Sequence, residues 1–440
     1  MNPAPEMNWK VTPEAAIAAV RHSVLGYGKL ETVPKVYVGS LRDIATLYTP
    51  GVGTLVQRVV ADPREVDVLS NRANTIAVVT DGTAVLGFGR TGPLAALPVM
   101  EGKAIMFKLL AGLDAVPICL DVKDPDKLVD HIAALEPSFA GFNLEDIAAP
   151  HCFSTVEELT RRLSVPVFHD DQYGTATVVV AGLINASRVV GKKKESLRIV
   201  VNGAGAAGTA AARLILAWGA GEVIVCDRHG ILCKGEPQPS PHMTALAAIS
   251  NRSGTKGTLA DALRGADAFV GLSSGHLLHA EHIRSMAKSA IVFACANPDP
   301  EILPHEALAA GAAIAGSGRF DAPNQCNNVL AFPGIMRGAV DISAKRITEQ
   351  MCLAASQVIA AHVGGNALAP HNVLPSPLDP DLCSVVAEAV AAQAVTEGQA
   401  RKPYVRGAIT SRVRALNRIA AHQQEGLLAL MIESVETTTA

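Results

Sequence analysis

Two pairs of adjacent carboxylates are the first candidates for chemistry in this chain: Glu145-Asp146 and Asp170-Asp171. The pairs lie 25 residues apart, counted from Asp146 to Asp171, and each follows an apolar strand-like stretch. Neighbouring acids repel each other unless a cation lies between them. Oxygen ligands without a nearby histidine or cysteine set suit Mg²⁺ or Mn²⁺. For either pair alone, capping of the following helix is the competing explanation.

Two further side chains are candidates for proton transfer. Lys103 interrupts an apolar helix-like run, VMEGKAIMFKLL, and a buried lysine loses part of its preference for the charged form and can act as a base near neutral pH. The alternative is a surface lysine whose apolar stem packs while its amine reaches water. Tyr48 lies in a Pro-Gly turn, where its phenol either faces a cleft or packs within the turn.

A glycine-rich turn, NGAGAAG, lies between an apolar strand-like run and an alanine-rich helix. In a dinucleotide-binding fold, Gly203 makes the tight turn, Gly205 lets the backbone approach the pyrophosphate, and Gly208 lets the helix pack on the strand. The helix beginning at Ala206 and Ala207 then offers free N–H groups to the phosphates. A GxGxxG pattern alone also fits other α/β turns, but here strand and helix stand on the proper sides.

An acid follows at the spacing that such a fold requires. Asp227 ends the next strand-like run, EVIVCD, 19 residues after Gly208, where an acid is expected on the ribose 2′-OH. Asp227 favours NAD, whereas the adjacent Arg228 could meet a 2′-phosphate, so the pattern leans only slightly to NAD over NADP. Beside a nicotinamide-binding fold, the metal interpretation of the carboxylates outweighs capping.

The elements that must position these residues alternate between strands and helices. Apolar runs that end in small or polar residues recur at 76–80, 116–121, 139–145, 199–201, 267–274, 290–298 and 312–318. This alternation predicts an α/β fold: a Rossmann-type doubly wound parallel sheet domain plus an N-terminal α/β substrate domain. Sites in such folds lie at the carboxyl ends of strands. Residues 85–89 also predict the second strand of a hairpin, and residues 342–363 predict one long helix.

The expected domain limits follow from the change of texture after the second carboxylate pair. Residues 1–172 are predicted to form a substrate and metal domain, and residues 173–400 an NAD(P)-binding domain. Residues 401–440 are predicted to form a C-terminal helical extension.

Composition bounds the class of protein. The 440 residues are 49% hydrophobic and 18% charged with a net charge of -3, which excludes a disordered chain and gives no reason to expect nucleic-acid binding. None of the eight cysteines forms a CxxC pair, so neither a zinc ribbon nor a disulfide framework is indicated. The stretch MNPAPEMNWK lacks the charged start and apolar core of a secretory signal, and no long apolar run predicts a membrane span. We expect a cytoplasmic protein.

Taken together, these segments resemble the malic enzyme family in its short bacterial form. The matching stretches follow the family order from about residue 20 to about residue 400: YTPGV, DGTAVLGFG, GPLAALPVMEGKAIMFK, FNLEDIAAPHCF, VFHDDQYGTA, NGAGAAG, ANPDPE and PNQCNNVLAFPGI. The resemblance implies oxidative decarboxylation of (S)-malate to pyruvate and CO₂, with reduction of NAD⁺ or NADP⁺ and a requirement for Mg²⁺ or Mn²⁺. It also implies a homodimer or a dimer of dimers.

The resemblance assigns roles residue by residue. Tyr48 would be the general acid and Lys103 the general base, with Asp170 supporting the site. Further implied contacts are the metal ligands Glu145, Asp146 and Asp171, the substrate or nicotinamide contact Asn297, and one or both of the substrate contacts Asn327 and Asn328.

Several positions depart from the family pattern without removing a proposed catalytic or metal residue. Tyr173 replaces a histidine, and the 318–325 loop carries Phe320 and Ala322 where serine and tyrosine are familiar. The altered loop motivates an alternative, a related metal-dependent dehydrogenase for a different 2-hydroxy acid. A nucleotide-binding regulator without catalysis is the second alternative, and it would be expected to lack an acid, a base or a ligand.

Overall fold

The structure is a computed structural model that describes residues 13–25, 28–122 and 124–438. The stretch MNPAPEMNWK, which was predicted not to be a secretory signal, lies outside the described residues. The last two residues of the predicted C-terminal extension also lie outside them. No helix in the described part of the chain is long and apolar enough to span a membrane.

The first half of the chain forms a four-stranded sheet in which every pairing is parallel, in the order β2-β1-β3-β4. Its strands are β1 Thr75–Thr80, β2 Asp114–Cys119, β3 Phe142–Leu144 and β4 Val167–His169. Among the described residues of this half, the helices are α1 Pro13–Leu25, α2 Leu41–Leu47, α3 Val52–Ala61, α4 Val66–Leu69, α5 Pro93–Ala111, α6 Pro125–Ala134 and α7 His151–Arg162. The apolar runs of β1, β3 and β4 are buried throughout, as strands between covered faces must be.

The second half contains a six-stranded sheet in the order β10-β9-β8-β5-β6-β7. Its strands are β5 Arg198–Asn202, β6 Glu222–Asp227, β7 Gly230–Ile231, β8 Ala268–Gly271, β9 Ile291–Ala294 and β10 Ile314–Ser317. All pairings are parallel except that of the short β7 with β6. After β6 the chain returns to the other side of β5, which makes a topological switch point beside β5. The predicted fold class is confirmed.

In the described part of the second half ten helices accompany this sheet, and most of α8 is buried. They are α8 Asp170–Val189, α9 Ala206–Trp218, α10 Pro241–Ile249, α11 Leu259–Leu263, α12 Ala280–Ser285, α13 Pro304–Ala309, α14 Phe332–Asp341, α15 Glu349–His362, α16 Leu382–Thr396 and α17 Ala408–Thr438. Helix α8 packs against α9 and α15. One hydrophobic core runs from Ile76 on β1 through Phe168 on β4 to Val201 on β5, so both sheets share packed side chains.

Two expectations about local structure were wrong. No hairpin forms after β1, because β1 is a central strand with parallel partners on both sides and has no free edge for another strand. Residues 86–88 form a 3₁₀ turn instead. The long helix expected over 342–363 is two helices, because α14 ends at Asp341 and Thr348 caps the start of α15 by accepting a hydrogen bond from the Met351 N–H at 3.1 Å.

Candidate active site

The two carboxylate pairs lie side by side at the carboxyl edge of the first sheet. Glu145 and Asp146 follow β3, while Asp170 and Asp171 follow β4 as the first residues of α8. Strands β3 and β4 are parallel neighbours in register up to their last residues, so their ends meet. Carboxylate oxygens of Glu145, Asp146 and Asp171 lie within 4.8 Å of one another. The structure therefore brings together the three residues expected to be metal ligands.

Asp146 shows how the backbone shapes this cluster. Its φ of 56° lies in the left-handed region, which a residue with a side chain adopts at a cost. Its N–H donates to Asp171 Oδ2 at 2.8 Å. Its own Oδ2 is buried without a hydrogen-bond donor among the described residues. A buried acceptor without a donor is costly, and a hard divalent cation is the partner that such an oxygen set fits.

Electrostatics point the same way. Burial raises the pKa of Glu145 to about 7 in spite of the nearby Lys103. Burial and the repulsion of Asp171 raise the pKa of Asp146 to about 8. Burial, followed by the repulsion of Asp170, raises the pKa of Asp171 to about 6. Burial and mutual repulsion thus disfavour the ionised form of these carboxyls, and a cation between them would stabilise that form.

Lys103 projects from α5 into the same cluster. Its Nζ lies 2.5 Å from Asp170 Oδ2 and 2.9 Å from Glu145 Oε1. The amine also lies 4.1 Å from the ring centroid of Phe332, within cation–π range. Only 10% of the Lys103 side chain is exposed, so the alternative of a surface lysine is wrong. Burial lowers the pKa of Lys103, but Asp170 and Glu145 outweigh burial and raise it overall.

Asp170 is not one of the three convergent carboxylates, and its Oδ2 contacts the lysine amine. Its side chain is fully buried, and its Oδ2 also accepts a hydrogen bond from Asn328 Nδ2 at 2.5 Å. Burial raises the pKa of Asp170 to about 7 against the attraction of Lys103. One turn along α8, a Cβ on Gly174 would lie 1.8 Å from Asp170 Oδ1. The carboxylate thus occupies space that only a glycine leaves free.

The two neighbouring asparagines have different surroundings. Asn328 reaches the Lys103 cluster through Asp170. Asn327 caps the following 3₁₀ turn, because its Oδ1 accepts a hydrogen bond from the Val329 N–H at 2.9 Å. The structure therefore brings Asn328 to the cluster, and the carbonyl oxygen of Asn327 is engaged in the local turn.

The glycine-rich turn has the backbone expected of a dinucleotide site. Gly203 has a φ of 124°, and a Cβ there would lie 2.5 Å from the Leu272 carbonyl oxygen. A Cβ on Gly208 would lie 1.8 Å from the Gly203 carbonyl oxygen. Nothing lies within 4 Å of the position of a Cβ on Gly205, so that side of the turn is open to a ligand. Helix α9 begins at Ala206 with its free N–H groups at this opening.

This turn lies next to the first domain. His242 Nε2 lies 3.0 Å from the Ala204 carbonyl oxygen, and the His242 ring packs 4.5 Å from the ring of Phe153 on α7. Ala206 itself packs against the hydrophobic core of the first sheet. The nucleotide turn and the carboxylate cluster are thereby held on packed elements that touch each other.

Asp227 lies at the end of β6, as predicted. One of its oxygens, Oδ1, accepts a hydrogen bond from the His229 N–H at 2.7 Å, which fixes the direction of the carboxylate. Arg228 is exposed, and its Nε lies 3.1 Å from His229 Nε2. The Asp227 carboxylate therefore has a fixed orientation. The Arg228 guanidinium contacts the side chain of its neighbour, His229.

Asn297 follows β9 at the edge where the two halves of the chain approach. It is exposed, and its carbonyl oxygen would lie 2.6 Å from a Cβ on Gly87 of the first domain. Its Nδ2 would lie 3.1 Å from a Cβ on Gly318, which follows β10. Asn297 is therefore placed between the two domains, where a ligand spanning both could meet it.

Tyr48 is a predicted catalytic residue that the structure does not bring to the carboxylate cluster. It is the residue after α2, and 71% of it is exposed. Within the described chain its hydroxyl makes no hydrogen bond, and helix α2 has no buried residue.

Sequence reasoning missed two residues of the site. Asn143 Nδ2 donates to Glu145 Oε2 at 2.9 Å, and Phe332 underlies the Lys103 amine. The signal for Asn143 was an amide in the middle of an otherwise apolar strand, Phe142–Leu144. Phe332 gave no signal, since an aromatic residue in an apolar run ordinarily reads as core.

The two unusual aromatic residues lie in different environments. Tyr173 is partly buried, and its ring centroid lies 6.1 Å from that of Phe168, so it packs with core residues. Phe320 is 87% exposed in the 318–325 loop.

Comparison with known families covers both halves of the chain. Residues 27–160 match the family model "Malic enzyme, N-terminal domain". Residues 172–395 match "Malic enzyme, NAD binding domain".

Individual relatives agree. Over 375 residues the chain is 48% identical to a bifunctional malic/malolactic enzyme of Bacillus subtilis, covering 85% of this chain and 92% of that protein. It is 46% identical to an NAD-dependent malic enzyme of Geobacillus stearothermophilus, covering 85% and 78%. Among solved structures, malic enzyme from Pyrococcus horikoshii superposes with a TM-score of 0.87 at 39% identity, covering 94% of this chain and 99% of that one. An NAD-dependent malic enzyme from Thermotoga maritima gives 0.82 at 43%, covering 85% and 98%.

Proposed function

The chain belongs to the malic enzyme family, and from that premise we propose how its own residues catalyse the oxidative decarboxylation of malate to pyruvate and CO₂ with NAD⁺ or NADP⁺. The observation that carries the assignment is the placement of Lys103. Its amine lies between Asp170 and Glu145, and Glu145 is one of three convergent carboxylates. The core of the same sheet also packs against Ala206 at the glycine turn. This arrangement supports a proposal in which a base, a cation site and a dinucleotide site lie on neighbouring packed elements.

Glu145, Asp146 and Asp171 are the residues that would hold the divalent cation. When bound, a divalent cation supplies Lewis acidity at the substrate oxygens and offsets the carboxylate charge around Lys103, and the nicotinamide supplies the oxidant for C2. The raised pKa of Lys103 keeps the amine protonated among the uncompensated carboxylates. Once a cation offsets their charge, the neutral amine of Lys103 can remove the proton of the C2 hydroxyl. Asp170 orients that amine and stabilises the positive charge that it gains, and Asn328 holds Asp170 in place by donating a hydrogen bond to the same carboxylate oxygen.

Loss of CO₂ from C4 leaves an enolate of pyruvate that needs a proton at C3. We assign this step to the phenol of Tyr48, which donates to C3 as a general acid. The exposure of Tyr48 within one chain then requires that something else bring the phenol to the cluster.

A second copy of this chain is the partner that we propose. Large apolar side chains are exposed throughout residues 30–60, the segment that carries Tyr48. Examples are Tyr37 at 88%, Leu41 at 85% and Val60 at 78%. Patches of this kind mark interaction surfaces. The start of the segment is tied to its own subunit, because Lys35 Nζ lies 2.9 Å from Asp114 Oδ2 and Lys29 Nζ donates to the Pro98 carbonyl oxygen. Helices α2 and α3 beyond this anchor are left for the second copy, in a homodimer or a dimer of dimers.

Mixing two inactive variants tests this arrangement. Lys103→Ala and Tyr48→Phe each remove one proton-transfer group, and each is expected to lose most activity. If Tyr48 acts in the site of the second copy, half of the dimers in an equal mixture carry one intact site, and about a quarter of wild-type activity returns. Activity after dissociation and reassociation is the measurement. A mixture that stays at the level of the variants would show that Tyr48 does not act across the interface.

The geometry of Asp227 gives an expectation for the cofactor. Its fixed carboxylate suits a ribose 2′-OH and repels a 2′-phosphate, and Arg228 is engaged with His229. We expect kcat/KM for NAD⁺ to exceed that for NADP⁺ by about tenfold or more, because repulsion between the carboxylate and the 2′-phosphate would weaken NADP⁺ binding by at least about that factor. Steady-state assays with both dinucleotides decide this. Asp227→Ser should narrow the ratio, and a preference of the native protein for NADP⁺ would contradict the assignment.

The activity itself is tested with malate, Mn²⁺ and either dinucleotide, by following reduced cofactor, pyruvate and CO₂ together. Lactate is measured alongside, because the Bacillus subtilis relative is named as a malic/malolactic enzyme. A panel of other 2-hydroxy acids addresses the altered 318–325 loop. Malate ranking far below another acid would overturn the assignment of substrate.

We keep the division into a substrate and metal domain over 1–172, a nucleotide domain over 173–400 and an extension over 401–440 as a proposal. The parallel sheets on either side of α8 and the separate start of α17 support it. The cytoplasmic location stays a prediction from the sequence.

A further inference from the structure

Glu301 is a buried carboxylate outside the Lys103 cluster that the reaction does not use. It has no exposed surface, and no cationic side chain in the described part of the chain pairs with it. Burial raises the pKa of Glu301 to about 7, although the backbone N–H groups of Ala296 and Ser273 act in the opposite direction. A buried acid without a cation is costly, so its contacts call for an explanation.

Each oxygen of Glu301 holds a different loop. Oε1 accepts a hydrogen bond from the Ser273 N–H at 3.2 Å, in the loop after β8. Oε2 accepts one from the Ala296 N–H at 3.1 Å, in the loop after β9. The fit is close, because a Cβ on Gly271 would lie 2.2 Å from Glu301 Cδ. One carboxylate therefore joins the carboxyl ends of two adjacent strands.

Both loops lead directly to the nucleotide site. Ser273 Oγ accepts a hydrogen bond from Asn202 Nδ2 at 2.8 Å, and Asn202 is the last residue of β5 before the glycine turn. In the same loop, the Leu272 carbonyl oxygen lies against Gly203. On the other side, Ala296 immediately precedes Asn297. The carboxylate thus connects the glycine turn with the segment that carries Asn297.

We propose that Glu301 is a positioning residue for the dinucleotide: it sets the separation of the 272–273 and 296–297 loops through one N–H bond to each. It touches neither substrate nor cofactor. The inference rests on the proposed use of the glycine turn and Asn297 in cofactor binding. A carboxylate suits this position because both of its oxygens are acceptors, whereas an amide has only one acceptor and would place an N–H against a second N–H.

Glu301→Gln tests the proposal with almost no change of shape. Leaving one backbone N–H without an acceptor should raise KM for NAD⁺ by about tenfold, with KM for malate changed by less than about twofold. Direct calorimetric titration with NADH should show the same loss of affinity. Glu306→Gln is the matched control: this exposed glutamate also accepts a backbone N–H, from Leu303, but within its own helix start, and both constants should stay at wild-type values.

Ser273→Ala is a second variant, and it is expected to fold because Ser273 is exposed. It removes only the link to Asn202, and it should weaken NADH binding by about threefold, the value of one modest hydrogen bond. Unchanged NADH affinity in Glu301→Gln would overturn the proposal. If Glu301→Gln does not fold, unchanged NADH affinity in Ser273→Ala would overturn it instead. NADH binding is measured without turnover, so a wild-type protein that binds NADH but does not oxidise malate would contradict the proposed function and leave the test of Glu301 valid.

Discussion

Lys103→Ala is expected to lower kcat for malate oxidation by about 10²- to 10⁴-fold, the usual worth of a positioned general base. KM for malate should change little, because the lysine acts on the reacting hydroxyl in the transition state. The deletion also leaves a space beside Asp170 and Glu145, which lie 2.5 and 2.9 Å from the native amine. A small primary amine added to the assay should therefore restore part of the rate.

Lys108→Ala is the matched control on the same helix. Lys108 is 39% exposed and pairs with Asp114 at 2.7 Å, away from the carboxylate cluster, so its loss should leave kcat unchanged. Thermal unfolding of both variants checks that the fold survives, since removing one member of a buried ion pair is destabilising. A folded Lys103→Ala protein with near-native kcat would remove Lys103 from the mechanism.

The second large effect concerns Asp171→Asn. Loss of a group that only supports a metal ligand typically costs 10- to 100-fold in metal affinity, so loss of a direct ligand should cost at least about 100-fold. We expect the Mn²⁺ concentration for half-maximal activity to rise by that factor, with little turnover at ordinary concentrations. Titration of Mn²⁺ by electron paramagnetic resonance measures the binding directly.

Asp126→Asn separates metal binding from helix capping. Asp126 is an exposed acid in the first turn of α6, as Asp171 is in the first turn of α8. If Asp171 only stabilised its helix, both variants would lose a similar, small amount of stability and both would keep native Mn²⁺ dependence. Full activity of the native protein in excess chelator would likewise contradict the metal site.

The parts of the site that could be predicted are those set by strand ends. Acids that follow β3 and β4 had to converge, because parallel neighbours end at the same edge. The glycine turn and Asp227 were predictable for the same reason, since a strand, a helix and a second strand fix their places.

Other parts depended on contacts between distant positions. Asn327 and Asn328 are indistinguishable in the sequence, and only the 3₁₀ turn decides that Asn328 faces Asp170, 158 residues away. The prediction of a hairpin was wrong because the sequence pattern does not show that β1 is central in its sheet. Glu301 ends the stretch ANPDPE, but its two N–H donors come from separate loops that the sequence does not show to be neighbours.

Gly174 has a consequence for engineering this protein. A glycine inside a helix costs roughly 0.5–1 kcal/mol relative to alanine, and exchanging such glycines for alanine is an ordinary route to heat resistance. Here the methyl group would collide with the Asp170 carboxylate, which holds the Lys103 amine. The chain therefore gives up some helix stability in the middle of its core in exchange for a correctly aimed base, and a screen for thermostability alone would select against that arrangement.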